Sequence, residues 1–376
     1  MTSATPTTPM MKMQPGPRFR ASPYYDGVME DGGVMATAYN RMILPVSYGD
    51  PEGEYWKTQN GVTMWDVAVE RQVEITGPDA DRLAQILCVR DLSKCAIGQG
   101  RYVAMCDARG TILNDPIAMH VGENHWWLSI ADSDMMIFAR AIAGERGLDV
   151  KVWEPDVSPL AVQGPKADDV VASIFGDWVR ELKHFRFKQT EVEGIPLVLC
   201  RSGWSKQGGF ELFLQDHKRG HDLWRIVREA GQPWDIGPGA PSGVERIEGG
   251  LLSIWGDSDD STNPLELRMQ PFVDLGVPDD TLGVQALRKV AEEGPARRQL
   301  GLKLDGDAPD PFRLYWEPVH VDGRQVGCMT CCQWSFRLKA NIGYGLVEAA
   351  CEPGQRVEVM RETGPVGATF TEIPFL

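Results

Sequence analysis

The sequence predicts an α+β chain of several domains, and three observations carry that prediction. At 376 residues it is too long for one ordinary hydrophobic core. Residues 61–240 repeat a unit of strand, glycine–proline helix start and hairpin. From about residue 281 the pattern changes to short β-type segments with Asp-Gly turns. A hydrophobic content of 43% with 24% charged residues places the chain among globular rather than disordered proteins.

Residues 1–40 read as a flexible arm, because the opening MTSATPTTPMMKMQPGPRFR has Pro and Thr where an export signal needs an apolar core. Residues 21–60 look irregular, with Pro, Gly and Tyr around the apolar strip Met42-Ile43-Leu44. From Gly61 the pattern is regular. Val73 and Ile75 alternate as a strand, and Gly77-Pro78-Asp79-Ala80 opens a helix carrying Leu83, Ile86 and Leu87. The device recurs 87 residues later: Leu160 and Val162 alternate, then Gly164-Pro165-Lys166-Ala167 leads into Val170, Val171 and Ile174. A hairpin follows each copy, Tyr102 to Val121 in the first and Thr190 to Leu214 in the second. The repeated units span about 61–150 and 151–240, so residues 41–280 are expected to form two interleaved α+β domains. Chance recurrence of a common helix start is the competing explanation.

Between the copies, Trp127 to Ile130 is strand-like, and Asp132 or Ser133 is placed to cap a helix bearing Met136, Ile137 and Ile142. A second amphipathic helix is expected from about Asp222 to Ala230, stopped by Gly231. The next is expected over 242–254, with Ser242 and Glu245 as a capping box and an apolar stripe of Val244, Ile247, Leu251 and Ile254. Gly249-Gly250 inside it costs roughly 1 kcal/mol per residue against alanine, so something must approach closely there. Arg246 lies off the stripe. After a helix at about 283–293, residues 281–376 read as a separate β domain of barrel type.

The stretch LVLCRSGWSKQGGFELFL, 197–214, has a strand at each end and a glycine-rich turn between them. Glu211 faces away from the core side formed by Phe210, Leu212 and Leu214. On spacing alone it fits a hairpin with a solvated glutamate; the functional alternative aims Glu211 and Trp204 into a cavity. Leu113-Asn114-Asp115-Pro116 sets a carboxylate at a strand mouth, either an ordinary Asx turn or a group that orients an amine. Trp126, Trp127 and Trp204 offer cation–π faces, although most tryptophans fill cores.

Several function classes are excluded or disfavoured. A net charge of −15 argues against a general nucleic-acid binder. No apolar run approaches a membrane span. There is no P-loop or dinucleotide fingerprint, no nucleophile elbow and no zinc-protease motif. Eight cysteines without an export signal suggest reduced thiols in the cytosol. Cys328, Cys331 and Cys332 lack a second pair at zinc spacing, so no metal site is expected.

An ordered set of segments then resembles the folate-dependent aminomethyltransferase superfamily, the group of the glycine-cleavage T-protein. They are MILP at 42, WDVAVERQVEITGPDA at 65, RDLS at 90, Gly98 to Tyr102, LNDP at 113 and IADSD at 130. EPDVSPLAVQGPKA at 154, RSGWSKQGGFE at 201, ERIEGGLLS at 245 and NPLE at 263 complete it. SKQGGFE looks most like the dimethylsulfoniopropionate demethylase branch. Trp204 departs from the family's usual Tyr, Arg268-Met269 from Gly-Leu, and Ser335-Phe336 from Ser-Pro.

The resemblance implies a three-domain aminomethyltransferase-like fold, with a central folate-binding funnel and a C-terminal antiparallel β domain. Carried onto matching positions, Asp115 becomes the catalytic carboxylate. Glu211 binds the pterin, Trp204 and Tyr102 line the cavity, and Arg246 lies near the folate and its anionic tail. The implied reaction moves a methyl group from a small-molecule donor, dimethylsulfoniopropionate in that branch, to N5 of tetrahydrofolate. Another methylated donor, an aminomethyl donor or a non-catalytic folate binder are the alternatives. No metal, flavin, nucleic acid or membrane enters the expected chemistry. The expected setting is a cytoplasmic protein, and the resemblance implies a homodimer.

Overall fold

The computed structural model describes residues 18–309 and 315–376, and the start of the expected arm lies outside them. The first of two large sheets runs, in spatial order, Lys151–Trp153, Gln72–Thr76, His125–Ser129, Ile117–Gly122 and Gln99–Tyr102. The second runs Phe187–Val192, Ile195–Cys200, Gly209–Leu214, Ser158–Gln163, Thr63–Asp66 and Gly237–Gly239. The strand that precedes each glycine–proline turn therefore takes the same place in its own sheet. The strand upstream of each copy is exchanged: Thr63–Asp66 lies in the second sheet beside Ser158–Gln163, and Lys151–Trp153 lies in the first beside Gln72–Thr76. The chain then crosses through Val67 to Arg71 into the first sheet.

The repeated glycines have a common cause. Gly77 and Gly164 sit at φ 124° and 122°, and a Cβ there would come 2.6 Å from the Asp149 carbonyl and 2.5 Å from the Gly61 carbonyl. In each copy a crossing backbone leaves no room for a side chain.

Helices Ala80–Leu87 and Met135–Glu145 bury Leu83, Ala84, Leu87 and Ala139 on one face of the first sheet, against Val73, Ile75 and Leu128. Ala167–Phe175 and Gly220–Ala230 bury Val170, Val171, Leu223 and Val227 on the second, against Leu160, Phe210 and Leu212. Each such side chain contributes about 1.5–3 kcal/mol when fully buried. The opposite faces meet each other: Met119 and Trp127 pack on Val198, Cys200 and Phe213, with the Trp127 and Phe213 ring centroids 6.5 Å apart. Along Gly209–Leu214 the residues alternate between helix side and sheet side, so Glu211 shares a face with Phe213.

The C-terminal strands close into a six-stranded antiparallel barrel, ordered Arg297–Leu304, Ala340–Glu348, Arg324–Ser335, Glu317–Val321, Arg356–Arg361 and Gly364–Thr371. Asp322-Gly323 is its tight hairpin turn, both residues at positive φ.

Four local expectations are corrected. Residues 21–60 are regular: helix Tyr25–Glu30, the ribbon Met35–Tyr39 with Met42–Ser47, and helix Pro51–Asn60. Tyr24 and Val28, expected in the arm, are core residues. Neither Asp132 nor Ser133 caps the helix Met135–Glu145. Asp132 accepts the Asn40 N–H at 2.7 Å, and Ser133 binds Asn114 and the Leu113 carbonyl. The hairpin from Tyr102 to Val121 is interrupted by a small ribbon of Met105–Cys106 and Ile112–Asn114. The helix expected over 242–254 is only Gly243–Gly249. Gly250 adopts a left-handed conformation at φ 75°, and the Leu251 N–H returns to the Arg246 carbonyl, a Schellman-type stop. Ser242 caps the other end through the Val244 N–H, while Glu245 turns to Gln59 instead of closing a capping box.

Candidate active site

Asp115 is fixed from both sides. The Asn114 side chain, fully buried, donates to the Ala131 carbonyl and accepts the Ala131 N–H, each at 3.0 Å. The Pro116 carbonyl accepts the Val103 N–H at 3.0 Å. The Asp115 carboxylate accepts a hydrogen bond from the Tyr102 hydroxyl at 2.6 Å. Burial pushes its carboxyl up to about 7, against the pull of the Tyr102 hydrogen bond. Burial and the neighbouring carboxylate raise the Tyr102 hydroxyl well above its ordinary range.

Glu211 comes from the other sheet and is 8% exposed. Its carboxylate accepts from the Ser202 hydroxyl at 2.5 Å, and burial raises its pKa. Sequence reasoning passed over a third acid, Glu70, on the crossover between the two sheets. Burial, then the charges of Glu211 and Asp115, hold Glu70 well above the carboxylate range. The available signal was its place: a lone acid closing the apolar run Val67-Ala68-Val69 between two strands. Tyr39 borders the group, its hydroxyl raised by burial and then by Glu70 and Asp115. No cationic side chain among the described residues forms an ion pair with any of these three acids. Like charges out of water cannot all ionise near neutrality without a counter-cation.

The loop from Arg201 to Gly208 carries Trp204 and is tied down at several points. Arg201 binds Asp168 through two contacts of 2.9 Å, and Ser205 donates to Gln163 at 2.8 Å. Gly203, at φ 148°, lies so close to the Gln163 amide that a Cβ would come within 2.1 Å. Lys206 lies over Gly249, where a Cβ would meet its Cγ at 2.6 Å. The close approach expected at that glycine is therefore this loop. Trp204 itself is partly exposed, two residues from the Ser202 that holds Glu211.

Arg246 is 7% exposed and committed within the chain. It pairs with Asp257 at 2.6 Å and stands 5.5 Å from the Tyr344 ring centroid. Asp257, 1% exposed, also accepts from the Ser253 N–H and Thr330 hydroxyl. Its charge reaches Asp115 and helps raise it. Replacing Asp257 with alanine strands a buried guanidinium, and chemical denaturation should show a loss of about 3–5 kcal/mol.

The electrostatics thus tie Asp115 and Glu211 to Glu70, Tyr102 is bound to Asp115, and Arg246 is neutralised in its pair with Asp257. Among the described residues, the close grouping of three potential metal ligands is Asp156, Asp216 and His217, away from the cysteines at 328–332. None of the eight cysteines forms a disulfide. No helix among the described residues is long and apolar enough to cross a membrane.

A doubled body of two sheets, a closed barrel and a cluster of acids drawn from both halves match, in the comparisons with known proteins, an enzyme of the transferase class. Residues 24–276 match the GCVT N-terminal domain, and 297–376 match the glycine cleavage T-protein C-terminal barrel domain. The chain belongs to the glycine-cleavage T-protein family of folate-dependent transferases. It is 40% identical to a dimethylsulfoniopropionate demethylase of Ruegeria pomeroyi, over 96% of this chain and 99% of that one. It is 30% identical to an aminomethyltransferase of Rubrobacter xylanophilus, over 88% of each. The glycine-cleavage aminomethyltransferase T structure from Bartonella henselae superposes with a TM-score of 0.81 at 21% identity, covering 95% of this chain and 98% of that one.

Proposed function

We propose that the protein transfers a methyl group from dimethylsulfoniopropionate to N5 of tetrahydrofolate, giving 3-(methylthio)propionate and 5-methyltetrahydrofolate. What carries this reading is a group of three carboxyls raised by burial, Glu70, Asp115 and Glu211, with the charges of the other two also reaching Glu70 and no cation paired with any of them among the described residues. Such a set is completed by a cationic ligand. A sulfonium supplies that charge without needing hydrogen-bond acceptors. The near full-length likeness to a demethylase points the same way.

In the reaction the N5 lone pair forms a bond to the methyl carbon as the carbon–sulfur bond breaks, and the bonding pair stays on sulfur. A neutral thioether leaves unaided, so no general acid is required. The N5 proton is released, and Asp115, with a pKa of about 7, is suited to receive it. Glu211 accepts from the donor-rich edge of the pterin. Trp204 and Tyr102 wall the cavity, while Arg246 and Asp257 form a neutral backing. Holding nucleophile and methyl carbon in line, in a site of low polarity, supplies most of the acceleration. Family likeness is the ground for companion proposals of a cytoplasmic location, a homodimer and a domain division near residue 280.

The aminomethyltransferase relatives support a second reading, since the same acids would hold a protonated amine. A donor panel with tetrahydrofolate separates the two. Methyl transfer gives 5-methyltetrahydrofolate, whereas aminomethyl transfer gives 5,10-methylenetetrahydrofolate.

The raised carboxyls set a pH dependence. Asp115 in the folded protein keeps its proton up to about 7, far above an ordinary aspartate. Its contribution to stability is complete below the ordinary range near 4 and is lost as pH rises through 7. A cationic donor needs the ionised form. The kcat/KM for the sulfonium should therefore rise with pH to a plateau above about 7, and Asp115→Asn should flatten that limb.

A further inference from the structure

A cavity of about 530 Å³ lies where the segment 265–270 meets the start of the barrel strand Arg297–Leu304 and residues 372–373. Arg268, Arg298 and Gln299 are on its wall. Gln299 is 2% exposed, and its Nε2 has no acceptor. Its Oε1 accepts from the Arg268 Nε at 3.0 Å. Because a guanidinium only donates, that bond fixes the amide orientation and leaves the Gln299 NH2 enclosed by protein without an acceptor, so its role is to hold Arg268.

Arg268 is held by this bond and by one from its Nη2 to the Gly250 carbonyl at 3.1 Å. Among the described residues it has no carboxylate within ion-pair distance, and its Nη1 has no acceptor. Its backbone is left-handed at φ 61°, a conformation that persists in a side-chain-bearing residue only when its surroundings impose it. Burial lowers its pKa, as expected of a cation without a partner. Two acids share the wall. Glu266 is already bound by Arg297 at 2.8 Å, and Glu372 is exposed. The balance left on the wall is two cations, Arg268 and Arg298, against one exposed acid, Glu372.

Arg268 is the link between the cavity wall and the acidic site. The charge of Arg268 reaches Tyr102, the residue that binds Asp115, and the Phe272 ring stands 4.9 Å from the Tyr102 ring. Arg246, already paired with Asp257, cannot offer the same free charge.

We propose that Arg268, oriented by Gln299, forms a carboxylate subsite, which takes the anionic end of a substrate whose reacting end lies at Asp115. An ionised carboxylate accepts at both oxygens and matches the unpaired Nη1 of Arg268. Under the function proposed above, on which the source of the carboxylate rests, two sources share this chemistry: the carboxylate of the methyl donor and the glutamyl carboxylates of the folate.

The test uses the full-length protein with propionate as the probe, read by thermal shift and calorimetry. Wild type should bind propionate, and Arg268→Gly, Arg268→Met and Gln299→Leu should each weaken it by about tenfold or more. Arg268→Gly suits the left-handed backbone and keeps the test open if the Met variant fails to fold. Arg268→Lys should restore part of the affinity, whereas a merely structural role at the Gly250 carbonyl would change the melting temperature alone. If Arg268→Gly raises KM for the donor and leaves the folate Kd unchanged, the donor supplies the carboxylate. The reverse pattern assigns it to the glutamyl tail. Folded variants that match wild type in propionate affinity, donor KM and folate Kd would overturn the subsite. Propionate binding that depends on Arg268, in a protein that transfers no methyl group, would leave the subsite standing and remove the proposed reaction instead.

Discussion

Asp115→Ala is expected to lower turnover by about 10²- to 10³-fold, the usual cost of losing one preorganised electrostatic partner. Its cause is local. The carboxylate sits beside the Tyr102 hydroxyl, and its backbone is held by Asn114 on one side and the Pro116 carbonyl on the other. Those backbone bonds do not depend on the Asp115 side chain, so the variant should keep its fold and melting temperature. Steady-state kinetics with tetrahydrofolate and the sulfonium donor, alongside thermal denaturation, provide the check. A near-normal rate would remove Asp115 from the mechanism.

The second large effect is on binding. Glu211→Gln keeps the shape of a buried side chain and its contact with Ser202, but removes a charge. The Kd for tetrahydrofolate should rise by about 10- to 100-fold, the value of a hydrogen bond to a charged group. Stability should move the opposite way. Burial and Glu70 make ionised Glu211 costly in the empty protein, so the glutamine variant should melt no lower than wild type at pH 8. Loss of affinity together with unchanged or improved stability marks a residue kept for function rather than folding. Calorimetric titration with reduced folate, paired with thermal melts, tests both halves.

The periodic parts of the structure were legible in the sequence. The two glycine–proline helix starts mark strands that occupy matching places in two sheets, because the same steric requirement recurs at Gly77 and Gly164. Glu211 was legible for a similar reason, since strand alternation assigns it to the face of Phe213. Asp322-Gly323 forms the hairpin turn that its residue types favour. Less legible was whatever depends on partners distant in sequence. Helix Pro51–Asn60 has little amphipathic pattern, and its one strong cue was Asp50 before Pro51, which caps the Gly53 N–H. The Gly249-Gly250 pair looked like a helix interior, but Gly250 ends the helix and Lys206 covers Gly249.

The site divides along the same line. Asp115 and Tyr102 are close in sequence and meet across neighbouring strands. Glu70 was missed because it acts only once the crossover brings it between acids from two sheets. The expected place of Arg246 near the folate and its anionic tail took no account of Asp257, eleven residues on and fully buried against it. Arg268 was visible as an unusual residue after NPLE, but its partner Gln299 comes from the barrel.

The most direct measurement supplies the purified protein with tetrahydrofolate and dimethylsulfoniopropionate carrying ¹³C in its S-methyl groups, and follows the folate by mass spectrometry. The account predicts 5-[¹³C]methyltetrahydrofolate in step with labelled 3-(methylthio)propionate, lost in Asp115→Ala. Unlabelled folate after complete turnover, or label found in 5,10-methylenetetrahydrofolate, would contradict it.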